Sequence, residues 1–323
     1  MTETTSSTSY TKRILTIDGG GIKGTFPASF LTTVEEATGK SIVDHFDLIV
    51  GTSTGGIIAL GLGMGWAARD LLSFYTEYGP RIFRKLPLWR RILSVFNAKY
   101  NPEPLHQALE ENFGDKRIGD SVVRLVIPSV NLDTGEVHLY KTAHHPRLKL
   151  DYKKKAIEAA RATSAAPTYF PSFISESGIP LVDGGVWANN PMAVAVVEAL
   201  TTLAWSPDQI KILSLGCTKV PFDADKAREQ SQGRGYWAFN ATELFMCTQS
   251  SSAKGMAKLL VGGKDRIMRI NPVVPHGRFE LDKPSGIEAL RGLGESEART
   301  FLPRLEEEFL AHPVAPFEPC NQL

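Results

Sequence analysis

Over the first 60 positions the apolar residues fall into two short blocks, each followed by a glycine-rich turn and then by helical spacing. Residues 13–18, RILTID, make a block of strand length that ends in an acid. GGGIKG follows, after which Phe26, Phe30, Leu31 and Val34 recur at helical spacing up to Gly39, a residue suited to stopping a helix. DLIV (47–50) is the second block, and it runs straight into GTSTGG and another apolar stretch. Strand, glycine turn and helix, twice in succession, are the units of a parallel β/α sheet.

Further along, residues 70–113 read as mostly helical, with breaks at Gly79-Pro80, Pro87 and Pro102/Pro104. VVRLVIPSVNL (122–132) predicts a strand, and YKKKAIEAARATSAAPTYF (152–170) a helix that stops at Pro167. LVDGGVWANNP (181–191) reads as a strand end, a loop and a new helix, with Asn190 as the cap and Pro191 in the first turn. IKILSLG (210–216) predicts a further core strand. Beyond about residue 220 the pattern loosens into SQGRGYWAFN, a Ser/Gln-rich turn, a strand RIMRI and a final helix near 295–311. No repeat or long linker divides the chain. The expected organisation is a disordered tail over 1–12 and one α/β domain over 13–323, with a mainly parallel central sheet between helices.

Composition narrows the function classes. With 42% hydrophobic and 22% charged residues the chain has the make-up of a soluble globular protein. A net charge of +1 provides no global field for a nucleic acid polymer. Cys217, Cys247 and Cys320 are far apart and odd in number, which fits reduced thiols in a cytosol. The start, MTETTSSTSY, has neither the basic nor the apolar region of a signal peptide. Residues 48–68 carry no charge over 21 positions, long enough to span a bilayer. Six glycines and a Thr-Ser-Thr run in that stretch fit a strand, a tight turn and a buried helix better.

Two glycine-rich turns and one aspartate carry the candidate chemistry. Gly51-Thr52-Ser53-Thr54-Gly55 matches G-x-S-x-G, the nucleophile elbow. A strand turning sharply into a helix strains its middle residue, and Gly51 and Gly55 are where a Cβ would clash. The serine then stands at a helix N-terminus, which favours a developing anion. A buried packing corner rich in glycine is the plainer alternative. DGGGIKG (18–24) has three readings. As G-x-G-x-x-G after a strand it would bind a dinucleotide, but that motif wants an acid at the end of the second strand. Asp47 stands at the start of that strand, and GTSTG occupies the end. As an oxyanion hole, the N–H groups of Gly19, Gly20, Gly21 and Ile22 would approach a substrate oxygen closely. A tight turn alone is the third. A P-loop fails, because Val34 stands where the first glycine before GKS (39–41) belongs.

A nucleophilic serine needs a base. None of the seven histidines sits in a context that demands the role, and His144-His145 reads as a solvated turn. No His or Cys spacing suggests a metal, and no cofactor is implied. The outstanding acid is Asp183, after an apolar strand and before two glycines that let the backbone pass close to another element.

In order and separation, DGGGIKG, GTSTG and DGG resemble the patatin-like phospholipase family, as do ARATSAAPTYFP (160–171) and NNP (189–191). The resemblance covers about residues 13–217, and 218–323 carries little of it. It implies a three-layer patatin-like sandwich and a Ser-Asp dyad without histidine. Residue by residue, it makes Ser53 the nucleophile, Asp183 the base, and the amides around Gly20 and Gly21 the oxyanion hole. Lys23 departs from the arginine of many relatives, which puts a guanidinium-specific contact there in doubt. The short form with DGGGIKG and GTSTGG is similar to the phospholipase effectors of antiphage systems switched on by cyclic nucleotides.

The segment RIFRKLPLWRRILSVFNAK (81–99) adds six basic residues and no acid, interleaved with apolar ones. It reads either as peripheral contact with an anionic membrane or as a solvated helical cap over the core. The expectations are therefore a cytoplasmic lipid acyl hydrolase, peripheral at the inner membrane when active, acting on membrane phospholipids through an acyl-enzyme. A cyclic-nucleotide activator is expected from the resemblance, and a homo-oligomer stays open. A soluble esterase or thioesterase with the same dyad, and a nucleotide-binding module using the glycine loop, are the alternatives.

Overall fold

The computed structural model describes residues 10–84, 97–221 and 233–323. The chain opens with β1 (Lys12–Ile17), α1 (Thr25–Thr38), β2 (Leu48–Gly51) and α2 (Thr54–Gly63), the two β/α units read from the pattern. Next come α3 (Ala68–Ile82), α4 (Glu103–Phe113), β3 (Arg124–Asn131), β4 (Val137–Lys141) and α5 (Ala156–Thr163). The short β5 (Phe173–Ile174) and β6 (Pro180–Asp183) precede α6 (Gly185–Ala188) and α7 (Met192–Val197). Last are β7 (Ile210–Leu215), α8 (Arg234–Leu260), β8 (Ile267–Ile270) and α9 (Ile287–Glu308).

These strands form one sheet in the order β5-β6-β3-β2-β1-β7-β8, with β4 also on β3. The pairs β1–β2, β1–β7, β2–β3 and β7–β8 are parallel, and β3–β4, β3–β6 and β5–β6 are antiparallel. Strand side chains alternate between two apolar layers, as the period of two requires. Leu15, Ile17, Ile49, Leu125 and Ile127 face a core shared with α1, α2, α3, α5 and α9. Ile14, Leu48, Val50, Val126 and Ile212 face a second core closed by Met192 and Ala195 of α7 and Ala257 of α8. The result is a three-layer α/β sandwich.

One register sets up everything that follows. Val126 of β3 pairs with both Val50 and Lys141, so β2 and β4 lie on opposite edges of β3. Ser129 pairs with both His138 and Asp183, so β6 shares its edge with β2. The strands β2 and β6 run in opposite senses along that edge and meet head-on. The turn after β2 and the last residue of β6 are thus brought face to face.

Several expectations need correction. Tyr10 to Lys12 belong to the fold rather than to a tail: Lys12 opens β1 and the Tyr10 hydroxyl accepts the Ala315 N–H at 3.2 Å. By contrast, the uncharged stretch 48–68 is as expected, holding β2, a turn at Thr52-Ser53 and α2, all ten of whose residues are buried. Among the described residues no helix is long and apolar enough to cross a membrane. The expected Ser/Gln-rich turn lies inside α8, where Gln249 accepts the Asn189 N–H (2.7 Å) and Ser250 bonds the Asn190 amide. Its polar side chains serve a neighbouring loop, and periodicity has no term for that. The last helix starts at Ile287, earlier than expected, and Gly294 lets it close onto the backbone of α1 at Phe26. His144 is not solvated but buried between Thr142 (2.8 Å) and Glu198 (2.9 Å). Of the basic segment, residues 85–96 lie outside the described residues. At its described end, Lys99 forms an ion pair with the buried Asp282.

Candidate functional site

Ser53 follows β2 by two residues and caps α2 with φ 55° and ψ −122°. That conformation is strained for any residue with a side chain. The glycines flanking it have no room for one: a Cβ on Gly51 would lie 2.0 Å from the Gly55 carbonyl, and one on Gly55 2.3 Å from that of Ile17. Each residue of the corner is tied to a different element. The Thr52 hydroxyl donates to Ala188 O of α6 at 2.6 Å. The Ser53 N–H donates to Thr163 Oγ1 of α5 at 2.9 Å. The Thr54 hydroxyl bonds Tyr75 of α3, whose own hydroxyl donates to Thr54 O at 2.9 Å.

Asp183 closes β6 opposite Ser129 and is 4% exposed. Its carboxylate accepts the N–H of Gly185 at 2.6 Å and lies beside the hydroxyl of Ser53. Burial pushes this carboxyl up to about 7, and the neighbouring Ser53 hydroxyl and the Gly185 N–H hold it from rising further. Gly184 passes over β3 so closely that a Cβ there would lie 2.3 Å from Pro128 O. Of the two glycines after Asp183, the first is therefore required by packing against another element, as the sequence suggested. A Cβ on Gly185 would meet only side-chain atoms, the nearest at 3.0 Å.

The four amides read as an oxyanion hole divide into two pairs. The Gly19 N–H donates to Asn189 O (2.9 Å) and that of Ile22 to Leu281 O (2.8 Å). Both are engaged in holding the loop, so Gly19 and Ile22 are corrected from candidate donors to supports. Among the described residues the N–H groups of Gly20 and Gly21 have no hydrogen-bond partner. Both residues line the same cavity as Ser53 and Asp183. Gly21 takes φ 56° directly beneath Leu281, where a Cβ would come within 2.3 Å of that carbonyl. The acids that a nucleotide site would use are committed elsewhere. Asp18 is buried in a two-pronged ion pair with Arg269, and Asp47 holds the Arg13 N–H (2.9 Å) and Lys12 (3.2 Å).

Ser53 and Asp183 open into a cavity of about 450 Å³. Its walls are Ile57, Phe74, Ile82 and Phe83 on one side, Leu105, Tyr169 and Phe170 on another, and Phe245, Met246 and Leu281 from the C-terminal part. No histidine among the described residues lines it. Among the described residues no group of three His, Cys, Asp or Glu side chains is placed to hold a metal. Sequence reasoning missed Thr163, Asn189 and Leu281. By pattern, ATSAAPT and NNP read only as a helix end and a helix start, with no role at the site, and nothing local marks Leu281.

The family model for patatin-like phospholipases matches residues 15–196. A cGAMP-activated phospholipase from Pseudomonas aeruginosa is 35% identical over 254 residues, covering 78% of this chain and 76% of its own. A cGAMP-activated phospholipase from Vibrio cholerae is 37% identical over 225 residues, and one from Escherichia coli 37% over 218. The chain spans 63% and 61% of the lengths of these last two, less than two thirds. Among solved structures, VipD from Legionella pneumophila aligns with 91% of this chain and 67% of its own, at a TM-score of 0.48 and 13% identity. The chain belongs to the patatin-like phospholipase family.

Proposed function

We propose that this member of the family cleaves fatty acyl esters of membrane phospholipids through Ser53 and Asp183, and that a cyclic nucleotide switches it on. One observation carries the reading: a serine on a strained corner stands beside a buried carboxylate at the head of an apolar cavity. Asp183 takes the hydroxyl proton as Ser53 Oγ attacks the ester carbonyl carbon, and the carbonyl π electrons move onto oxygen. The oxyanion is held by the N–H groups of Gly20 and Gly21 and by the positive end of α2. When the intermediate collapses, the lysolipid oxygen leaves with the proton from Asp183, and Ser53 carries the acyl group. Asp183 then deprotonates a water that attacks this ester, and the proton returns to Ser53 as the fatty acid leaves. A carboxyl poised near neutrality suits both the taking and the giving of that proton.

The apolar walls favour a long acyl chain over the small substrate of a soluble esterase or thioesterase. A nucleotide module built on the glycine loop finds no support, because the elbow stands where the ribose-binding acid belongs. The three relatives named as cGAMP-activated support the activator. The setting that follows is the cytoplasmic face of the inner membrane, with the enzyme peripheral there, in antiphage defence.

Hydrolysis of phospholipid vesicles by the purified protein, with and without cGAMP, tests the reading. Released fatty acid should rise on adding cGAMP and vanish in Ser53→Ala. Turnover by Ser53→Ala above about one per cent would sink it, since removing the nucleophile of such a unit costs on the order of 10⁶. Hydrolysis of p-nitrophenyl butyrate with intact vesicles left untouched would favour the soluble esterase.

A further inference from the structure

We infer that Thr163 is a positioning residue, and that the end of α5 sets the distance and angle between Ser53 and Asp183. The inference rests on the catalytic reading of those two residues. Where β2 and β6 both end, head-on along one edge of β3, Pro128 sits in the gap between Val126, paired with β2, and Ser129, paired with β6. The Thr163 hydroxyl fills that gap. It donates to Pro128 O at 2.6 Å and accepts the Ser53 N–H at 2.9 Å. Two residues later, Ala165 O accepts the Asp183 N–H at 3.0 Å. One short stretch of chain thus grips the backbone of both partners.

A hydroxyl is the fitting group at this point. The Ser53 N–H lies between the last strand residue and the first helical one, so neither ladder offers it an acceptor. The site is fully buried, with Thr163 at 0% exposure, so water does not replace the bond. A hydroxyl both accepts from that amide and donates to Pro128 O, and it brings no charge beside the carboxylate of Asp183. The Thr163 methyl packs at Gly56, where a Cβ would lie 2.8 Å away, so the rotamer is held as well. Valine has the same shape and can make neither bond.

The test is a soluble p-nitrophenyl ester assay on Thr163→Val, Thr163→Ser and Thr163→Cys beside Ser53→Ala. Active sites are counted by titration with a fluorophosphonate, and thermal midpoints are recorded. In Thr163→Val, kcat per active site should fall about 10²-fold, with KM within about threefold, as for misplacement of a reacting group. Thr163→Ser keeps the hydroxyl and should return most of the rate, with Thr163→Cys between the two. A merely structural threonine would give the other pattern: midpoints that follow lost volume, and kcat per active site unchanged. The inference is overturned if Thr163→Val stays within about twofold of the parent kcat, or if Thr163→Ser is as impaired as Thr163→Val. Should Thr163→Val fail to fold, equal kcat in Thr163→Ser and Thr163→Cys overturns it. An active Thr163→Val beside a dead Ser53→Ala removes the positioning role alone, whereas an active Ser53→Ala removes the dyad and this inference with it.

Discussion

At the scale of single residues, Ser53 and Asp183 each hold a state that the isolated residue would avoid. A serine at φ 55° and ψ −122° costs on the order of 1–3 kcal/mol. Ser53→Ala keeps that strain and should leave the thermal midpoint nearly where it was. Ser53→Gly relieves it, at a cost of about 0.5–1 kcal/mol in unfolded-chain entropy, and should be the more stable variant by about 1 kcal/mol in chemical denaturation. Equal stabilities would mean that the corner is not strained in solution. Asp183 keeps its proton to about pH 7 in the folded chain but only to the ordinary 3.8 when unfolded. Activity needs the carboxylate, so kcat/KM should rise with pH through about 7, well above the usual carboxylate range. Stability goes the other way. Between these two values the folded state binds more protons, so the stabilisation is complete below the unfolded value and lost as pH rises to about 7. Asp183→Asn stays neutral, and at pH 8 it should gain at most about 4 kcal/mol over the parent, and little at pH 4. A gain independent of pH would count against a buried, shifted carboxyl.

At the scale of elements, the head-on meeting of β2 and β6 along β3 makes the site, and the glycines make the meeting possible. Gly55→Ala would drive a Cβ into the Ile17 and Asp18 carbonyls of the neighbouring loop, at 2.3 and 2.7 Å. Those are backbone atoms that cannot turn aside. Destabilisation of about 3 kcal/mol should follow, with loss of activity in whatever folds; a shift below about 1 kcal/mol would show the corner to be more pliant than this. The corner was legible in the sequence because its requirements are local: an apolar strand, glycines on either side of the serine, and an uncharged helix behind. The β/α order and the glycines after Asp183 were legible for the same reason. The pairing of Asp183 with Ser129 across 54 positions was not, because nothing in β6 alone says which edge it joins or in which sense. Thr163 was hidden at a helix end, where a threonine is unremarkable. The middle of α8 was hidden by a polar run whose partners, Asn189 and Asn190, lie 60 residues away.

At the scale of the whole molecule, the stretch with the faintest family signature completes the site. Arg269 of β8 neutralises the buried Asp18 under the glycine loop, and Leu281 O fixes the Ile22 amide. Phe245 and Met246 of α8 close one wall of the cavity. Phe245 is 67% exposed, and Val186 of α6, across the same opening, is 56% exposed. A bilayer substrate must leave its neighbours and enter acyl chain first, so an apolar rim continuous with an apolar cavity shortens its passage through water. Such a rim should also hold the protein at the surface, since burying a valine and a phenylalanine contributes roughly 1.5–3 kcal/mol each. The measurement is co-sedimentation with vesicles containing anionic phospholipid, made in the Ser53→Ala background so that no lipid is consumed. Adding Val186→Ser and Phe245→Ser, which change no charge, should lower the bound fraction at least about tenfold in partition coefficient, since their loss removes more than 1.4 kcal/mol. Raising the salt concentration should change the bound fraction of the parent and the variant in the same proportion if the rim acts by apolar burial, because salt screens charge and leaves that term in place. Unchanged partition with a normal thermal midpoint would move membrane contact away from the cavity mouth and leave the basic segment at 81–99 as its remaining candidate.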